Sequence, residues 1–387
     1  MFKSRNKAEL QAAVKACIKM SPVGDCANGP HGVIRDWDVS LIPDMSDLFH
    51  GAKKFNGDIS KWDVSSVTEM SGMFYGSAAF NGDISRWDVS SVTFMNRMFH
   101  GAEYFNADIS RWDVSSVTSM FGMFYNARAF NIDISRWDVS RVTSMFGMFY
   151  DARAFNGEIS KWDVSSVTVM NRMFHGATSF SRDISKWDVS SVTDMSGMFY
   201  GAKTFTSDLS KWEVSSVSSM FGMFNGAAAF NSDISKWDVS RVTSMDYMFW
   251  DAVSFNKHQL CESAWLLSTA SKRGVFTDWT GSILCEATST SRATARAKRH
   301  SVTRRPFPGR ELVLHTLITT SVSMPAFTAT IGDMVTCPKC GTFGKSGRVS
   351  CCAPGGAWFK NCGGAGNRNM EHRWIEGLEA CQRKFTS

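Results

Sequence analysis

Large apolar side chains recur along this chain on a fixed step. The tryptophans from Trp37 through Trp62, Trp87 and onward to Trp237 are each 25 residues apart, and the phenylalanines from Phe55 to Phe255 keep the same interval. Nine units without an insertion indicate equivalent coils stacked on one axis, because a compact globular packing would impose loops of varying length.

The unit from Ile59 illustrates the pattern within one step. Ile59, Trp62 and Val64 have the apolar spacing L-x-x-L-x-L, which predicts one short parallel strand per coil. Met70, Met73, Phe74 and Ser77 follow at i, i+3, i+4, i+7, the spacing of one helical stripe, with Thr68 suited to the N-cap and Glu69 to the first turn. Gly76, the pair Phe80–Asn81 and Asp83 return the chain to the next strand. Strands about 4.8 Å apart would give a sheet of roughly 40 Å, with tryptophan, methionine and phenylalanine ladders through its core. The tryptophans are read as structural and not as platforms for sugars or bases, and the methionines as core filling and not as metal ligands. Asn56, Asn81, Asn106, Asn131, Asn156, Asn231 and Asn256 suit loop positions where a side chain satisfies backbone groups of the neighbouring coil, with Ser181 and Thr206 in their place in two units.

A stack must close its two ends. Residues 1–31 supply an amphipathic helix, NKAELQAAVKACIKM, which caps the first coil, and Cys17 and Cys26 flank its end as a candidate disulfide. The nine repeats occupy residues 32–260. Cys261 and Cys285 bracket Trp265 and Trp279 in a second cap, 261–285, and are a further candidate pair.

The units WDVSSVTEMSGMFYG and WDVSRVTSMFGMFYD resemble the BspA-like bacterial surface protein repeat, a domain of unknown function in the leucine-rich-repeat superfamily. The shared motif DISxWDVSxVTxMxxMF covers about 225 residues. The resemblance implies surface display, adhesion or protein binding, with no catalytic residues to carry over, and the Cys-rich carboxy terminus resembles tails of algal extracellular proteins of this repeat class. The expected architecture is therefore a right-handed, leucine-rich-repeat-like α/β repeat solenoid of nine 25-residue coils, each with a short parallel strand and a short helix, plus a small disulfide-rich module.

Two outward regions are candidate binding surfaces. Between the buried strand positions, a Lys/Arg column and an Asp/Glu column recur, as in Arg136 beside Asp138 and Lys161 beside Asp163. These columns are expected to pair along and between coils and to present a regular face. On the helical side, Phe121/Tyr125 and Phe146/Tyr150 are i, i+4 pairs in consecutive coils and form a candidate apolar patch. Asn96/His100 and Asn171/His175 mark a second unit type, whose histidines lie too far apart to share a metal.

Composition changes the picture mainly beyond the repeats. The net charge of +6 is concentrated in one segment, where seven Lys/Arg between residues 286 and 310 face the single Glu286. This argues against a basic face for nucleic acid. Residues 286–335 read as a polar Ser/Thr-rich linker, and Arg296-Ala297-Lys298-Arg299 within it fits a processing site, a localisation signal or an anionic contact. Leu312 to Phe327, the most apolar run, is broken by His315, threonines and Pro325 and falls short of the roughly 18 apolar residues of a membrane span. Charges in the first twenty residues give an amphipathic helix where a secretory signal would need an apolar core.

Residues 336–387 hold Cys337, Cys340, Cys351, Cys352, Cys362 and Cys381 in a Gly-rich setting. An even count in a small loop-rich module predicts disulfides and an oxidising compartment. The competing arrangement is zinc on Cys337, Cys340, Cys351 and Cys362, although the adjacent Cys351 and Cys352 depart from the usual paired spacing. The sequence carries no phosphate loop, no HExxH and no nucleophile elbow, and its repeated carboxylates are identical copies with no tuned pair among them. These observations favour a non-catalytic extracellular or cell-surface protein without a cofactor, binding a protein or glycan partner. Small-molecule substrates and nucleic acid are disfavoured. An intracellular, cytoplasmic scaffold with a zinc-binding tail is the alternative.

Overall fold

The computed structural model describes residues 2–261 and 263–277, together with the backbone of two short strands further on. Helix α1, Lys7–Met20, starts where Asn6 accepts the Glu9 N–H at 2.9 Å, while the Glu9 carboxylate returns to the Arg5 N–H. Its inward stripe is Leu10, Ala13, Val14 and Cys17, an i, i+3, i+4, i+7 set that is buried. The helix caps the first coil. Residues before it run alongside that coil through Ser4 N–H to Asp38 O and Asp38 N–H to Phe2 O, and Lys7 pairs with Asp44 at 2.8 Å. The Cys17–Cys26 disulfide holds the far end of the helix to the loop that enters the repeats.

The coils are built from turns. Within one unit, Trp62 donates to Ile59 O, Val67 to Val64 O, Met73 to Met70 O, Tyr75 to Gly72 O and Ser77 to Phe74 O, all i to i−3 bonds. Neither the expected strand at Ile59–Val64 nor the expected helix after Thr68 is present in the described coils. Gly72 and Gly76 explain the second difference. Both take left-handed φ, at +63° and +67°, a conformation that interrupts an α-helix and that glycine adopts without a Cβ penalty. The inward stripe nevertheless stands as read, since Met70, Met73, Phe74 and Ser77 are all fully buried.

The N–H groups not used in these turns connect the coils. Met70, Gly72, Phe74 and Gly76 donate to the carbonyls of Phe94, Asn96, Met98 and His100, so alternate residues bond to the next coil. The parallel contact therefore sits one residue before the first methionine. It runs as single bridges from Asp44 through Glu69, Phe94 and Ser119 to Ser244 and Ser271. Thr68 is not an N-cap: its carbonyl accepts both the N–H and the hydroxyl of Thr93, at 2.9 and 3.0 Å, and the following units repeat this bond.

The core is a set of stacked rings and thioethers. Phe74 stacks on Phe80 at 3.8 Å and on Phe99 of the next coil at 5.6 Å. From Trp62 onward each indole of the repeats also makes a polar bond across coils: Trp87 Nε1 donates to Ile59 O, and Trp112 to Ile84 O at 3.1 Å. The asparagine loops behave as read, with the Asn81 N–H bound to Asn56 Oδ1 at 2.8 Å and the bond repeated at Asn106, Asn131 and Asn156. The Ser181 N–H still reaches Asn156 Oδ1 at 3.1 Å, and near Thr206 the Ser207 and Ser232 hydroxyls accept the Ile184 and Leu209 N–H groups.

The segment read as a carboxy-terminal cap begins as a further coil. Trp265 is buried and donates to Ile234 O at 3.2 Å, and Phe276 bridges Phe249. A 3₁₀ turn, Lys257–Cys261, and the short helix α2, Ser263–Leu267, accommodate the longer step from Trp237. Cys261 is disulfide-bonded. In a second unit, strands β1, Met334–Thr336, and β2, Phe343–Lys345, pair antiparallel with Val335 opposite Gly344, so β1 starts inside the stretch read as linker. Trp279, Cys285, Arg296 to Arg299, Cys337, Cys340, Cys351, Cys352, Cys362 and Cys381 lie outside the described residues.

Candidate interaction surface

The charged face is organised by Asp-x-Ser turns. Asp63 Oδ1 accepts both the N–H and the hydroxyl of Ser65, at 3.1 and 2.7 Å, and Asp58 does the same for Ser60. Asp138 and Asp163 are bound in this way by Ser140 and Ser165. Among the described residues no ion pair joins Arg136 to Asp138 or Lys161 to Asp163, which corrects the expected ladder of pairs. The carboxylates are turned back onto their own serines. The Ser140 hydroxyl and N–H hold the Asp138 carboxyl below the usual carboxylate range. The Arg136 charge acts instead on Asp133, three residues before it, adding to the effect of the Ser135 bonds there.

The aromatic positions separate into two columns. His50, Tyr75, His100, Tyr125, Tyr150, His175 and Tyr200 stack ring on ring with centroids 4.1 to 4.5 Å apart. Tyr125 and Tyr150 are buried in this column at 5% and 8% exposure, so they are not surface residues. Burial, with Tyr150 as its neighbour, pushes the Tyr125 phenol up. Burial also pushes His175 down to about 3, with the Arg172 charge adding to the effect. Among the described residues no cluster suited to a metal forms.

Phe121 and Phe146 do reach the surface. Both are half-buried, and their rings stack at 4.7 Å and 8°. Two nearby residues were not singled out from the sequence. Phe94 is 42% exposed on the preceding coil, and the Arg97 guanidinium lies 4.8 Å above the Phe121 ring. Asn96 Oδ1 fixes the site from below by accepting the Ser119 hydroxyl and the Phe121 N–H. The missed signal was departure from the unit consensus: Arg97 and Arg172 stand at left-handed φ, +56° and +59°, where Gly72, Gly122, Gly147, Gly197 and Gly222 occupy five of the other coils and Asp47 and Tyr247 the remaining two. Near the last coil the exposed Phe221 and Trp250 flank the half-buried Tyr247, with edge-on contacts of 5.8 and 5.9 Å.

A stack of near-identical units with a nearly constant interior and a varied exterior defines a tandem-repeat protein. The chain belongs to the family described as Mycoplasma protein of unknown function, DUF285, which it matches in three overlapping stretches, 19–135, 105–210 and 170–278. Together these cover about two thirds of the chain. No curated protein matches it, and no helix among the described residues is long and apolar enough to cross a membrane.

Proposed function

We propose that this chain is a non-catalytic recognition or adhesion protein of the cell exterior or surface, binding a protein or glycan partner through the outward faces of a leucine-rich-repeat-like solenoid. The observation that carries this reading is the contrast between two neighbouring columns. Met70, Met95, Met120, Met145 and Met170 repeat without change and are buried, whereas the residue just before each is Glu69, Phe94, Ser119, Ser144 or Val169. A repeat scaffold fixes the positions that stack its units and varies those that meet a ligand. The Cys17–Cys26 disulfide supports an oxidising compartment. So does the resemblance to BspA-like surface repeats of the algal type, whose extracellular members carry Cys-rich tails like this one.

Intact-mass analysis of native protein with and without reductant, combined with metal analysis, tests the placement. Full oxidation of the ten cysteines gives a gain of about ten hydrogens on reduction. Free thiols with about one equivalent of zinc overturn it in favour of an intracellular scaffold. Binding is tested by screening the folded chain against glycan and peptide arrays, and a folded chain that retains neither class of ligand overturns the recognition role.

A further inference from the structure

The geometry points to a peptide-docking window on coils three to six, selective for a protein segment that carries apolar side chains between two carboxylates. This rests on the recognition role proposed above and names its partner. The outward pairs across these coils are Phe94 and Asn96, Ser119 and Phe121, Ser144 and Phe146, and Val169 and Asn171. None is a carboxylate. The same positions hold Glu69 on the coil before and Asp194 on the coil after, so the window is a carboxylate-free interval between acidic borders, with Phe94, Phe121, Phe146 and Val169 as its apolar members.

An arginine stands at each end. Arg97 and Arg172 are three coils apart, roughly 14 Å at the usual interstrand spacing, and both adopt left-handed φ in a column where five other coils have glycine and only the first and last, with Asp47 and Tyr247, share that departure. A bulky residue in that conformation is disfavoured relative to glycine. Two arginines held there, both in Asn-Arg-Met-Phe-His units, place cations at the two ends of the only stacked phenylalanine pair in this column among the described residues. An extended peptide advances about 3.3 Å per residue, so carboxylates at positions i and i+4 span the arginines and leave three side chains over Phe121 and Phe146.

Charge also argues against a second copy of the chain as occupant. A two-fold pairing of this window with itself brings Arg97 opposite Arg172 and Glu69 opposite Asp194, like charge against like. A partner segment with acidic ends is complementary at both arginines.

The test uses the full chain and a labelled peptide, Ser-Gly-Asp-Leu-Phe-Val-Asp-Gly-Ser, followed by fluorescence anisotropy. The controls are a peptide with Lys at both Asp positions and one with Ser at the three apolar positions. The acidic apolar peptide is expected to bind at least tenfold more tightly than either control. The same loss is expected in Arg97→Gly/Arg172→Gly and in Phe121→Ser/Phe146→Ser. The glycine variant relieves left-handed backbone, so its denaturation midpoint should not fall, and lost binding cannot then be ascribed to unfolding. Equal binding of the three peptides, or wild-type affinity in both variants, overturns the window. If the folded chain instead holds a glycan or a protein ligand with these variants unaffected, the window is wrong and the recognition role stands. A folded chain without any ligand removes both.

Discussion

The Trp137 indole N–H donates to the Ile109 carbonyl of the preceding coil at 3.1 Å. The bond joins two residues 28 positions apart, so the largest side chain in the unit both fills the core and ties one coil to the last. Trp137→Ala is expected to destabilise by about 3–5 kcal/mol, as large core truncations do. Trp137→Phe, which keeps a ring but leaves the carbonyl unpaired, should cost about 1–3 kcal/mol. Exposed Arg136→Ala should cost under about 1 kcal/mol. Urea unfolding of the three variants checks the order, and equal effects at Trp137 and Arg136 would contradict the assigned faces.

The left-handed column gives a second expectation. Gly122 has φ +57°, and a Cβ there would lie 3.4 Å from the Arg97 side chain. Gly122→Ala should therefore cost about 1–2 kcal/mol, measured by thermal or denaturant unfolding. A neutral result would mean that this turn relaxes more readily than its hydrogen bonds suggest.

Stability should fall in two steps as pH falls. His175 is depressed to about 3 from an ordinary 6.5. Between those values the unfolded chain binds the proton and the folded chain does not, so stability is lost as pH drops below about 6.5. Asp83, Asp108, Asp133 and Asp138 are held below 3.8 by their serines. Their contribution is present above that value and is lost as pH falls through their lower folded values. In urea midpoints measured against pH, His175→Tyr, which places the residue of Tyr150 and Tyr200 in the same stack, should flatten the upper step and spare the lower one. An unchanged upper step would show that other groups produce it.

Reduction of Cys17–Cys26 should loosen the amino-terminal cap first. The closed loop is short, and its loss is expected to cost about 2–3 kcal/mol. Hydrogen exchange should show faster opening of Lys7–Met20 with little change at the central coils. Uniform acceleration along the chain would mean that the cap and the stack unfold as one unit.

Part of this architecture was legible in the sequence because periodicity reports which side chains point inward. The 25-residue step placed Trp137, Met145 and Phe155 in the core, and Asn106 in a loop bonded to its neighbour. It did not report which backbone hydrogen bonds close the path. The spacing Met70, Met73, Phe74, Ser77 fits a helix and a run of tight turns equally well, and Gly72 and Gly76 decide for turns. The same ambiguity put Tyr125 on the surface beside Phe121, because i and i+4 share a face only in a helix. Arg97 was missed because it differs from the consensus, and a search for regularity passes over the exceptions.

The bonds between coils have a bearing on how such a chain changes over generations. Each coil meets the next through the same alternating donors, so a central unit gained or lost by in-frame duplication or deletion leaves the backbone bonding at every junction as it was. Such an event keeps the backbone bonding between coils, while the side-chain bonds particular to a junction change with the units that meet, and it alters the distance between two features by one fixed increment. The gene can therefore adjust the spacing of Arg97 and Arg172 like marks on a ruler, adapting to a longer or shorter target without redesigning the interior.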